Sequence, residues 1–206
     1  MSTGSIVAFA GLAVLLAGLA FYERGRSGSR EIGLVAVLIA AASAGRVLFA
    51  AIPGAQPVTA IAIVAGVALG PRAGLAVGAG SALVSNAFLG QGPWTPWQML
   101  LWGLIGGGAG LLGPALRRSR TALVGYGVLV SLVFGALMDV WQLAAFGPAL
   151  TLTAFVAVHI RAVPFDVAHA IATAAILGLV GPALIALVDR SAVRVRGRWL
   201  PARGAP

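Results

Sequence analysis

The stretch PVTAIAIVAGVALGPRAGLAVGAGSALVSNAFL, residues 57–89, decides the fold class. It contains two apolar runs, approximately 57–70 and 73–89, separated only by the break at Gly70-Pro71-Arg72. Arg72 is the single charged residue in the whole stretch. Glycine followed by proline ends one helix and starts the next. The stretch therefore predicts a tight hairpin of two apolar helices, with its turn at residues 70–72.

The rest of the chain has the same apolar character. The 206 residues are 60% apolar and 9% charged, whereas soluble domains are about 45–50% apolar and about 25% charged. This length suits roughly six or seven membrane-spanning helices. We predict an all-α integral membrane protein with an extra N-terminal transmembrane helix and basic loop at 1–30, a six-helix substrate-binding domain at 31–189 and a basic tail at 190–206. The other apolar runs are approximately 5–22, 33–52, 98–115, 121–146 and 164–188.

The basic residues predict the orientation in the membrane. All 14 are arginine, and 12 of them fall in alternate connections or in the tail. The positive-inside rule puts those connections and the C-terminus in the cytoplasm of a multi-pass plasma-membrane protein. Because the charges sit in short loops, we expect no nucleic-acid partner despite the net charge of +9. The first run is read as a retained helix, since its arginines follow it, although a secretory signal is the alternative.

Ionisable side chains within apolar runs are costly and mark function by default. Arg46, Asp139, Asp166 and His169 are of this kind, and the helical rise places them all in the outer half of the bilayer. The inner half of the bundle has almost no ionisable side chain within its apolar runs. We therefore predict a pocket that opens to the outside and is closed on the inner side by apolar residues. Apolar and aromatic walls with a few polar groups suit a small ligand, and Phe49 could add to them. The predicted substrate-binding residues are Arg46, Asn86, Gln91, Trp94, Trp97, Gln98, Asp139, Trp141, Gln142, Asp166 and His169.

Structural interpretations of these residues remain open. Arg46 and Asp139 could form a structural ion pair, and Asp166, just after Pro164, could cap a helix N-terminus. Trp94 and Trp97 could belong to an interfacial aromatic belt. Asp166 and His169 share a helix face, but two ligands without a thiolate make a poor metal site, so we predict no metal and no cofactor. Neither GxSxG nor HExxH occurs, so we predict no enzyme and no catalytic residue.

Five segments together resemble the S components of energy-coupling factor (ECF) transporters, the substrate-capturing subunits of vitamin importers. They are the AxxxAxxxA pattern of Ala36, Ala40 and Ala44, AGVALGPRAGLAVG at 65–78, SNAFLGQGPWTPWQM at 85–99, FGALMDVWQ at 134–142 and PFDVAHAIA at 164–172. The resemblance covers roughly residues 33–188. The GQGPWTPWQM part is similar to a subset that includes cobalamin S components.

The resemblance implies an S-component-like six-helix bundle that captures a vitamin or related micronutrient near its outer face. It also implies a transmembrane T subunit and two ATPase subunits as partners, with Ala36, Ala40 and Ala44 packing on the coupling helices of the T subunit. Cobalamin is the first candidate ligand. The alternatives are a stand-alone ion- or proton-coupled carrier, which would need polar groups along its whole path, and a structural membrane subunit without a ligand.

Overall fold

The computed structural model describes residues 29–147 and 150–197. Within these ranges the chain folds into eight helices and no strand. The predicted helix at 5–22 and the tail beyond residue 197 lie outside the described residues. The helices are α1 (Ser29–Leu48), α2 (Val58–Leu69), α3 (Pro71–Leu89), α4 (Thr95–Leu111), α5 (Gly113–Arg118), α6 (Arg120–Phe146), α7 (Leu152–Leu179) and α8 (Gly181–Gly197).

The hairpin predicted at 57–89 is confirmed as α2 and α3. Gly70 joins them at φ 98°, a conformation that glycine adopts without strain. Its N–H donates to the carbonyl of Gly66, and Pro71 begins α3. Helix α2 forms the centre of the bundle, because nine of its 12 residues are buried.

Glycines allow α2, α3 and α4 to pack with their backbones in contact. A Cβ atom on Gly66 or Gly74 would collide with the carbonyl of Gly106, and one on Gly78 would collide with the carbonyl of Trp102. The small-residue spacing thus serves helix packing, as it does in other membrane bundles. The contact is tight from the α4 side as well, because a Cβ atom on Gly106 would collide with the carbonyl of Gly74.

Helices α6 and α7 form a long antiparallel hairpin. With 27 and 28 residues they extend about 40 Å, longer than the ~30 Å hydrocarbon core of a bilayer. Three described helical segments are long and apolar enough to cross a membrane, namely Glu31–Leu48, Arg120–Phe146 and Leu152–Leu179, and Val58–Leu69 is a shorter apolar helix. The all-α membrane fold class is confirmed.

The prediction of a final span at 164–188 is wrong. Helix α7 begins twelve residues earlier, where the Thr151 side chain accepts a hydrogen bond from the Ala154 N–H and caps the helix. Pro164 lies inside α7, so Asp166 is in the middle of the helix and does not cap it. The helix breaks at Val180, and α8 continues through residues 190–197 of the predicted tail.

The end of α2, the short α5 and α8 meet at the arginine-rich end of the bundle. Arg117 donates to the carbonyl of Val67 from Nε at 3.1 Å and from Nη2 at 2.7 Å. Its Nη1 lies 2.5 Å from Asp189 Oδ2 of α8. The hydrogen bond from Arg117 to Asp189 raises the pKa of the guanidinium, against a smaller lowering by burial.

Candidate functional site

Arg46, in the last turn of α1, is the centre of a buried polar network. The residue is only 7% exposed. Its Nη1 donates to Ser85 Oγ at 2.7 Å and to Asn86 Oδ1 at 2.6 Å, and its Nε donates to Gln56 Oε1 at 3.2 Å. The guanidinium carbon lies 4.9 Å from the centre of the Trp102 ring, within the range of a cation–π contact.

Asn86 extends this network into the 85–99 segment. It lies in the last turn of α3, and its carbonyl accepts a hydrogen bond from the N–H of Gly90, whose φ of 114° turns the chain towards α4. The Asn86 amide donates to Thr95 Oγ1 at 3.0 Å and to Gln98 Oε1 at 2.9 Å, both in the first turn of α4. We call Arg46, Gln56, Ser85, Asn86, Thr95 and Gln98 the arginine cluster.

The arginine cluster holds a buried positive charge that no carboxylate neutralises. Within 29–147 and 150–197, the ion pairs join Arg117 to Asp189 and His159 to two aspartates, and none involves Arg46. The ion pair between Arg46 and Asp139 that the sequence left open therefore does not form. Arg46 Nη2 donates to none of the described residues, which leaves a charged donor for the oxygen or nitrogen acceptors of a ligand.

Thr59 and an aromatic layer lie beside the arginine cluster. The Trp102 indole N–H donates to Thr59 Oγ1 at 2.9 Å, and His169 Nε2 lies 2.9 Å from the same oxygen. An indole N–H can only donate, so the Thr59 hydroxyl hydrogen is free to bond His169. Phe134 stacks on Trp102 at 4.6 Å between ring centres and meets the His169 ring edge-on at 5.7 Å.

Asp139 and Asp166 belong to a second group, which we call the carboxylate cluster, together with His159. His159 Nδ1 lies 2.7 Å from Asp139 Oδ2 and 3.8 Å from Asp166 Oδ2. Sequence reasoning missed His159, because it began the last helix at residue 164. The available signal was the seven-residue spacing from His159 to Asp166, which puts both on one face of a longer helix.

The predicted tryptophans connect α4 to α6. Trp94 and Trp141 meet edge-on with their ring centres 6.3 Å apart. The Trp97 indole N–H donates to the carbonyl of Leu137 at 3.0 Å. Trp141 is buried, and its indole nitrogen has no hydrogen-bond partner in the part of the chain that the structure describes. These rings form an aromatic wall that runs from the 85–99 segment to the end of α6.

Other predicted residues lie apart from both clusters. Gln91 is exposed and donates to the carbonyl of Leu83, while Gln142 and Phe49 are exposed. Ala36, Ala40 and Ala44 are all exposed along one face of α1. Ala40 and Ala44 line an apolar groove of about 470 Å³ between α1 and α3, with Ser43, Val47, Leu48, Val84 and Phe88.

Comparison with known proteins identifies the family. The family model for the ECF-type riboflavin transporter, S component, matches residues 27–187, which is more than three quarters of the chain. No curated protein and no solved structure shows significant similarity to the chain. The matched range contains both clusters and the exposed alanine face. The chain therefore belongs to the family of ECF-type riboflavin transporter S components, the substrate-specific membrane subunits of ECF importers.

Proposed function

We propose that the chain captures cobalamin at the arginine cluster and the adjoining aromatic wall, for ATP-driven uptake. The observation that carries the proposal is the position of the 85–99 segment. Asn86 of this segment donates to Thr95 and Gln98 and accepts a hydrogen bond from Arg46. The segment that resembles the subset including cobalamin S components is thus part of the polar network.

The chemistry of the arginine cluster suits a large neutral ligand with many amide groups. Amide side chains of Gln56, Asn86 and Gln98 offer both donors and acceptors, and Arg46 adds a charged donor. Such groups complement the carboxamides around a corrin ring. The neighbouring rings of Trp94 and Trp97 offer apolar contact area of the kind that lines small-molecule sites, and the buried Trp141 packs edge-on against Trp94.

Riboflavin is the second candidate, and the description of the matching family favours it. A flavin has a flat ring whose edge carries hydrogen-bond donors and acceptors. Amide side chains can hydrogen-bond to that edge, and tryptophans can stack on the face of the ring. The two vitamins differ greatly in size. Binding measurements separate them directly.

The test is ligand binding by the purified protein in detergent without nucleotide. We expect cobalamin to bind at one equivalent and to raise the melting temperature, because a ligand that binds only the folded state stabilises it by mass action. Saturable binding of riboflavin in place of cobalamin would transfer the assignment to the flavin. Absence of binding by any member of a vitamin panel would refute the proposal.

We also propose that the exposed alanine face of α1 is the contact for the T subunit. Ala36, Ala40 and Ala44 let a partner helix approach closely, and the groove beside Ala40 and Ala44 offers it an apolar surface. In this arrangement the arginine-rich end, with Arg117 and α8, faces the cytoplasm, and the arginine cluster opens to the outside.

A further inference from the structure

The carboxylate cluster combines two acidic residues and one imidazole in a largely buried position. Asp139 and Asp166 are each 5% exposed, while the His159 side chain is 34% exposed. One ligand atom from each of the three residues can be chosen so that all lie within 4.8 Å of one another. Within the described ranges, no arginine hydrogen-bonds or pairs with either carboxylate. Two buried carboxyl groups thus face one histidine.

Asp166 supplies a second and independent observation. Its Oδ2 is buried and has no hydrogen-bond partner among the described residues, although it lies 3.8 Å from His159 Nδ1. A buried carboxyl oxygen without a partner is costly, so a group that bonds to it would stabilise this position. His159 cannot satisfy both carboxylates, because its Nδ1 already lies 2.7 Å from Asp139 Oδ2.

The packing around Asp166 holds its carboxylate in this position. A Cβ atom on Gly135 of α6 would collide with the Asp166 carboxylate. The absence of a side chain at residue 135 therefore lets the Asp166 carboxylate lie directly against the α6 backbone. Asp139 is one turn further along α6, on the same side of the helix. Both carboxylates are consequently brought to the same point between α6 and α7.

We propose that Asp139, His159 and Asp166 bind one divalent transition-metal ion, such as Zn²⁺ or Mn²⁺. Imidazole with carboxylates suits these ions, whereas Ca²⁺ and Mg²⁺ prefer sites made of oxygen alone. With bonds of about 2.1 Å, ligand atoms around a tetrahedral ion are about 3.4 Å apart. The observed 2.7 Å and 3.8 Å bracket that spacing. Three protein ligands leave a fourth position for water.

The ion would cross-link the two helices of the α6–α7 hairpin. Asp139 is seven residues before the end of α6, and His159 is seven residues after the start of α7. Both are therefore about 10 Å from the connection between the helices. A single ion at this depth would tie the two longest helices together beside the vitamin site. This inference goes beyond vitamin capture, because it concerns an ion that binds in the absence of the vitamin.

The experiment measures metal content and metal binding of the purified full chain. After treatment with EDTA and titration with Zn²⁺ or Mn²⁺, we expect one equivalent to bind and the melting temperature to rise by about 5 °C. Asp166→Asn and His159→Gln should each weaken binding at least tenfold. Asp189→Asn is the matched control, a carboxylate outside the cluster, and should retain it.

Two results would overturn the site. The first is that the wild-type protein binds less than half an equivalent of Zn²⁺ and also less than half an equivalent of Mn²⁺. The other is Asp166→Asn protein that binds as tightly as the wild type. If the histidine variant fails to fold, Co²⁺ bound to the wild type decides the question. Its visible absorption should show a low-symmetry site of four or five ligands, and an octahedral aqua-ion spectrum would refute the assignment.

Discussion

Replacement of Arg46 by methionine separates a structural role of this residue from a binding role. The wild-type residue makes three hydrogen bonds, to Gln56, Ser85 and Asn86. Methionine leaves the buried Asn86 Oδ1 without its donor, which costs about 1–3 kcal/mol, whereas Ser85 still donates to the carbonyl of Ser81. The wild type, however, carries the desolvation cost of a buried guanidinium without a counter-ion, and methionine removes that cost. The two effects largely cancel.

We therefore expect Arg46→Met to change the free energy of unfolding by less than about 2 kcal/mol. Asn86 keeps its hydrogen bonds to Thr95 and Gln98, and half-buried Gln56 can bond to water. Ligand binding behaves differently. The variant lacks the charged donor at Nη2, so the Kd of the vitamin should rise about 10- to 150-fold.

The assay combines thermal unfolding in detergent with titration calorimetry of the vitamin. Arg118→Met, at an exposed arginine of the opposite end, is the control and should change neither quantity. The reasoning is refuted if Arg46→Met binds the vitamin as the wild type does while its melting temperature falls by more than about 10 °C. That result would make Arg46 a structural residue only.

Three further predictions concern coupling, orientation and packing. Ala40→Trp should abolish uptake in the presence of the T subunit and the ATPases while leaving vitamin binding intact. Leu129→Trp, at an exposed α6 position, is the control and should retain both uptake and binding. Normal uptake by Ala40→Trp would exclude the alanine face as the contact for the T subunit. The chain has no cysteine, so a single introduced cysteine reports the orientation of the chain in the membrane. A membrane-impermeant maleimide should label Ala51→Cys in intact cells, but Ala115→Cys only after the cells are permeabilised. The reverse labelling pattern would mean that the arginine-rich end faces the outside. Gly106→Ala should destabilise the protein by about 2 kcal/mol or more, since its Cβ meets the Gly74 backbone. Gly125→Ala, with open space around its Cβ, should be neutral or stabilising by up to about 1 kcal/mol in the same unfolding assay. Equal stability of the two glycine variants would contradict the packing argument.

The α2–α3 hairpin was predictable because its signals are local. An apolar run, a glycine and a proline determine where one helix ends and the next begins, and no distant contact is needed. The last helix was not predictable in the same way. Pro164 normally marks a helix start, but the capped and apolar segment from Thr151 onwards continues the helix through it. The prediction therefore began α7 too late and left out His159.

The polar residues were predictable as a set but not in their pairing. Depth along a helix places Arg46 and Asp139 in one layer of the membrane, yet it says nothing about the direction in which each side chain points. The contacts depend on helix rotation, which tertiary packing determines. Asp139 meets the face of α7 that carries His159 and Asp166, while Arg46 faces the ends of α3 and α4.

The separation of opposite charges is itself an argument for binding. A fold selected for stability alone would pair Arg46 with one of the aspartates, because each unpaired buried charge costs free energy. Instead, Arg46 lies against the layer of Trp102, Phe134 and His169, and it forms no ion pair with Asp139 or Asp166. The described residues thus leave a charged donor at Arg46 and an unpaired acceptor at Asp166. Under the two proposals, a neutral, amide-rich ligand completes the arginine cluster and a cation completes the carboxylate cluster. A ligand that bound both clusters at once would couple vitamin affinity to metal occupancy, so the vitamin titration should be run with and without EDTA.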